Sequence, residues 1–175
     1  MSGDGALIIP PSVVAACKSD DDAVLQEFLL VQTNLDHVNA HAEDSYTLLH
    51  IAAEAGHANV VKLLLRHGAS RSALDEDGQT PLHLATASGH LEAVKALTYN
   101  KNCPELLVLD KYQMTPFHLA CESGDPHMVQ YLISMNKIDP RMRRGSVAQH
   151  GFEVERRLSV ATGLLLNLTR PLPAG

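Results

Sequence analysis

Ten histidines and three cysteines are the residues of this 175-residue chain whose types could hold a metal or act as nucleophiles. A protein metal site needs three or four such groups converging, usually from short ligand spacings. His50, His83 and His118 instead recur at intervals of 33 and 35 residues, each three residues after a threonine, Thr47, Thr80 and Thr115. That arrangement puts them in separate copies of one motif, on separate layers. There each hydrogen-bonds the turn around its own threonine, so neither a metal nor another cofactor is expected. Cys17, Cys103 and Cys121 are odd in number and far apart, and they read as reduced thiols. Cys121 sits in a short helical run and reads as a packed, inert group. The chain has no Gly-rich phosphate loop, and no Ser or Cys lies in a nucleophile motif. The expectation is a protein without catalytic activity.

The elements that must position these histidines repeat with them. Each Thr-x-x-His is followed by a glycine nine residues after the threonine: Gly56, Gly89 and Gly124. Apolar residues at helical spacing come next: Val60, Val61, Leu64 and Leu65; Leu91, Val94 and Leu97; Met128, Val129, Leu132 and Ile133. Thr80 is a good N-cap and Pro81 suits the first helical position, where no N–H is needed; Thr115 and Pro116 do the same. The pattern predicts a short helix over roughly Pro81–Ser88, with Ala85 and Ala87 small enough for close neighbours. Gly89 ends it in left-handed geometry, and Gly68 ends the second helix of the first unit. Neither helix can bury its apolar face alone, so the units must stack on one another.

Thr80-Pro81-Leu82-His83-Leu84-Ala85 resembles the signature of ankyrin repeats, strongly over residues 47 to 136. The resemblance implies an all-α fold: an ankyrin-repeat solenoid of paired antiparallel helices joined by turn and hairpin loops. The units are 47–79, 80–114 and 115–144, behind a flexible stretch 1–11 and a degenerate N-capping unit 12–46. In that cap Asp20, Asp21 and Asp22 are expected at the start of its second helix, where carboxylates suit the dipole. Ser45 and Gln113 stand where the family has the turn glycine that Gly78 supplies, so those turns are strained or differently built. The two extra residues of the second unit, near Tyr99 to Leu109, are expected to bulge outward. Residues 145–175 read either as a degenerate C-capping unit or as a basic tail. Gly145 and His150 keep the spacing of Gly78 and His83, and Ala161 and Leu164 that of Val94 and Leu97, but the Thr-Pro-Leu is lost. The chain reads equally as a natural whole and as a truncated or alternative form of a longer repeat protein.

Charge narrows the partners. Residues 1–136 carry 7 basic and 17 acidic side chains, a balance of −10, and residues 137–175 carry 7 and 3, a balance of +4. An acidic body repels phosphate backbones, so nucleic acid is not expected. No run of eighteen apolar residues exists for a membrane, and the first residues lack a basic n-region. A cytoplasmic or nuclear monomer is the expectation.

In the family, partners meet the turn tips and the exposed side of the first helices. Carried over by position, that face comprises Glu43, Asp44, Tyr46 and Glu54; Glu76, Asp77, Gln79 and Ser88; and Lys111, Tyr112, Met114 and Glu122. Its mostly acidic character suggests another protein with a basic segment, and its Tyr and Met suit anchors. The expected function is a protein-protein interaction module or adaptor. Arg143-Arg144-Gly145-Ser146-Val147 and Arg156-Arg157-Leu158-Ser159-Val160 each resemble the site of a basophilic kinase such as the cyclic-AMP-dependent kinase. Ser146 and Ser159 are therefore phosphorylation candidates. The alternative function is a regulatory or inhibitory subunit whose basic tail blocks the face until phosphorylated.

Overall fold

A computed structural model describes residues 9–20, 22–31, 38–41, 45–99 and 103–135. Among these, eight α-helices pair off in order: α1 (Pro11–Ser19) with α2 (Asp22–Val31), α3 (Leu48–Ala55) with α4 (Ala58–Arg66), α5 (Pro81–Ala87) with α6 (Leu91–Leu97), and α7 (Pro116–Ser123) with α8 (Pro126–Met135). The first helices stack in one row, α1 on α3, α3 on α5 and α5 on α7; α2, α4 and α6 stack in a second. The two rows are the expected solenoid of paired helices.

The stacking follows from side-chain size. α3 and α5 are buried almost from end to end, including Ala52, Ala53 and Ala85, so neighbouring helices approach closely. Second helices bury one stripe only: Val60, Val61 and Leu64 on α4, Val94 and Leu97 on α6, Met128, Val129 and Leu132 on α8. These residues join Val13, Cys17, Leu25 and Leu29 of the first pair in one continuous core. The N-terminal pair is thus a layer of the stack, with α1 packed on α3.

Four local expectations are corrected. Ala87, the last residue of α5, is exposed, whereas Ala85 is buried in the row. Asp20 belongs to the end of α1, as its left-handed C-cap (φ 57°), while α2 starts at Asp22. Ile133 is 43% exposed, one residue beyond the buried Leu132. The insertion between α6 and α7 does not merely bulge: Pro104–Leu107 forms a 3-10 turn packed on α7, with Cys103 buried and Leu106 against the core. Ser45 (φ 60°) and Gln113 (φ 62°) adopt the left-handed turn that Gly78 (φ 72°) adopts, at a conformational cost glycine would not bear.

Candidate protein-binding face

The second and third tips are each built on a carboxylate. Asp75 Oδ1 accepts from the backbone N–H groups of Asp77 and Gln79 at 2.9 and 2.8 Å. Asp110 Oδ1 accepts from those of Tyr112 and Met114, both at 2.8 Å. In both hairpins the arms also bond through the backbone, Asp75 N–H to the Gln79 carbonyl and Asp110 N–H to the Met114 carbonyl, at 3.0 Å. The tips are thereby closed from within, which holds the side chains they carry in fixed places. Neighbouring tips are tied together as well. Lys111 N–H donates to the Asp77 carbonyl at 2.9 Å, and the Gln79 amide donates to Asp110 Oδ2 at 3.3 Å.

The three repeated histidines anchor the tips to the helices. In each motif the imidazole Nδ1 accepts the backbone N–H of its threonine at 3.1 Å, for Thr47, Thr80 and Thr115 alike. The ring proton therefore lies on Nε2. From there His50 donates to the Gln79 carbonyl at 3.2 Å, and His83 to the carbonyls of Val108 (3.1 Å) and Met114 (3.2 Å). Each of these two histidines thus reaches the next layer, a role that the reading of one motif at a time missed. Burial holds the imidazoles of His50, His83 and His118 below the ordinary histidine range, against the smaller pull of nearby carbonyls and carboxylates. They are structural, neutral rings.

The expected face residues divide by environment. Glu54, Glu76, Ser88, Lys111, Tyr112 and Glu122 are exposed, and Asp77, Gln79 and Met114 half-buried. Gln79 is occupied by its bond to Asp110, and the Met114 carbonyl by His83. Tyr46 is half-buried, its ring set edge-on against His50 at 5.7 Å. The Lys111 ammonium pairs with the Asp77 carboxylate and lies 4.9 Å from the Tyr112 ring centre, and the Asp77 contact is the main cause of its raised pKa. The Tyr112 ring remains 64% exposed. Glu43, Asp44, Ser146 and Ser159 lie outside the described residues.

Sequence reasoning passed over Asp75 and Asp110, although both stand five residues before a motif threonine. It also passed over Leu74 and Leu109, the residues just before them, which are 48% and 42% exposed. The thiols of Cys17 and Cys121 are buried and pushed up to about 12 and about 11, so they are poor nucleophiles at neutral pH. Among the described residues no three His, Cys, Asp or Glu side chains converge as a metal site would require.

Comparison with known proteins agrees with this geometry. A family model for ankyrin repeats in three copies matches residues 13–107, and a single ankyrin-repeat model matches 112–142. A curated relative, glycerophosphocholine phosphodiesterase gde1 of Schizosaccharomyces pombe, is 39% identical over 67 residues. That segment is 38% of this chain and 6% of the relative, so the chain spans a small part of the protein it matches.

Proposed function

The chain belongs to the ankyrin-repeat family, and from that premise we propose that it is a non-enzymatic protein-interaction module that grips a partner at its hairpin tips and along its first helices. The observation that carries this reading is the Tyr112 tip. An aromatic ring stands largely in solvent on a backbone locked by Asp110, beside exposed Glu76 and an Asp77–Lys111 pair. A rigid, exposed aromatic gives contact area at little entropic cost. Leu74 and Leu109 add apolar surface next to the same tips. A partner segment with basic residues around an apolar side chain suits this chemistry.

The test is a differential capture. The immobilised chain and its Tyr112→Ala and Glu76→Ala variants are exposed to the same mixture of proteins, and retained proteins are quantified. A protein held by the unaltered chain and lost from both variants supports the reading. Equal retention by all three moves the contact away from the tips.

A further inference from the structure

The last layer of the stack is built like the others yet lacks what they have on one side. Positions two, three and four after the motif threonine are buried in the middle layers, as Leu49, His50 and Ile51 and as Leu82, His83 and Leu84. Their counterparts on α7, Phe117, His118 and Leu119, are only half-buried. On the second helices, Thr98 of the preceding layer is 1% exposed, while its counterpart Ile133 is 43% exposed. The hydrogen bonding breaks off at the same place. His50 and His83 each spend Nε2 on a carbonyl of the next layer. His118 holds Thr115 as they hold theirs, but among the described residues its Nε2–H meets no acceptor.

The missing acceptor has an address in the chain. Gln79 and Met114, which supply carbonyls to the preceding histidines, each lie four residues before the next motif histidine, His83 and His118. Four residues before His150 is Ser146. The length of the connection agrees. From the buried Leu64 to Gln79 is 15 residues, from Leu97 to Met114 is 17, and from Leu132 to Ser146 is 14. Ala161 and Leu164 then fall in the register of Val94 and Leu97, both of which are buried.

We propose that the α7–α8 end face is the seat of residues 145–169 of this chain, stacked as one more layer, with the Ser146 carbonyl accepting the Nε2–H of His118. The matched repeat models stop at 142, before this segment. Val147 occupies the threonine position and Glu153 that of the buried Cys121, so this layer lacks its helix cap and sets a carboxylate where others set a small side chain. Its attachment is therefore the weakest in the stack and the first to open.

The imidazole N–H signals of the full-length protein test this directly. In the unaltered chain the His118 Nε2–H is expected to exchange with water far more slowly than an exposed imidazole N–H, though faster than those of His50 and His83, whose layers open later. Leu164→Asp is expected to speed His118 exchange on the order of tenfold or more while leaving His50 unchanged, since a buried hydrogen bond shields its proton only while it is closed. Fast His118 exchange in the unaltered chain overturns the proposal, because it needs no variant to fold. Slow exchange that survives Leu164→Asp also overturns it. So does protection that grows with protein concentration alongside a doubled mass in sedimentation, which assigns the face to a second copy.

Discussion

His50 Nε2 lies 3.2 Å from the carbonyl oxygen of Gln79, 29 residues further along the chain, and donates its proton there. One imidazole thus closes its own turn through Nδ1 and clamps the next hairpin through Nε2. His83 repeats the arrangement one layer on. The clamp makes each tip dependent on the helix pair behind it, so tip geometry and stack stability are linked.

Removing a clamp should therefore destabilise the whole stack. His83→Ala leaves the buried Thr80 N–H and a part-buried next-layer carbonyl without the imidazole that bonds them. A buried group left unpaired costs about 1–3 kcal/mol, and the expected loss in urea unfolding is of that size. A variant within about 0.5 kcal/mol of the parent, the range usual for surface changes, would show that the clamp contributes little.

Acid should act through the same rings. Burial lowers the folded-state pKa of His50, His83 and His118 below the ordinary histidine range. The unfolded chain then binds more protons than the folded one as pH drops through that range, so stability falls with pH. It is fully present above about 6.5, the unfolded value, and is lost progressively below it. Melting temperatures from pH 8 down to pH 5 check this, and His83→Gln should flatten the slope. A slope unchanged in that variant would assign the acid sensitivity to carboxylates instead.

Two glycines of equal conformation should respond differently to a methyl group. Gly56 and Gly124 both have left-handed backbones, at φ 80° and 71°. A Cβ on Gly124 meets open space, whereas one on Gly56 would fall 2.6 Å from the His90 ring. Gly124→Ala should cost the conformational penalty alone, about 1–2 kcal/mol, and Gly56→Ala more. Adding His90→Ala to Gly56→Ala should recover the excess, since the two groups are in contact. Equal costs for the two single variants would remove the steric part of this account.

The repeat period, the helix caps and the second-helix stripes could be read from residue types, because each is a local rule: Thr-Pro at an N-terminus, Gly at a C-terminus, leucine and valine on one face. The inter-layer clamp could not. His83 binds Val108 and Met114 across 25 and 31 residues, and no pattern within one motif announces such a bond. The tip carboxylates Asp75 and Asp110 were visible as a repeat but carry no signal that separates a solvent-facing acid from a buried one; Asp110 is 3% exposed. The exposure of Ile133 depends on which layer is last, a property of the stack and not of the helix.

Where glycine is missing from a turn that glycine suits, restoring it should help. Gln113 sits at φ 62° in the tip of the third strong unit. Its backbone N–H bonds to Asp110, so the turn is held in spite of the strain. Gln113→Gly relieves an unfavourable left-handed conformation but adds unfolded-state freedom, leaving an expected net gain of about 0.5–1 kcal/mol. Gln113→Ala should give none of it. Identical stability for the glycine and alanine variants would mean that the side chain, not the backbone, decides.

The charges of the second and third tips should affect binding with opposite signs. Asp77 and Lys111 neutralise each other, and Glu76 beside them is exposed. For a partner with a basic segment, Glu76→Ala removes attraction and should slow association. Asp77→Ala should slow it at least as much, because it also releases the Lys111 ammonium onto the approach path. Lys111→Ala should speed association, since it leaves Asp77 unpaired. All three effects act at long range and should shrink in high salt, where the screening length falls to about 3 Å at 1 M. Tyr112→Ala should leave association nearly unaltered and raise the dissociation rate, weakening binding by about 1–3 kcal/mol if the ring is an anchor. Surface plasmon resonance at two salt concentrations separates the two classes. If Lys111→Ala slows association as the acidic variants do, the partner is not basic, and the tips recognise it by shape and apolar contact alone.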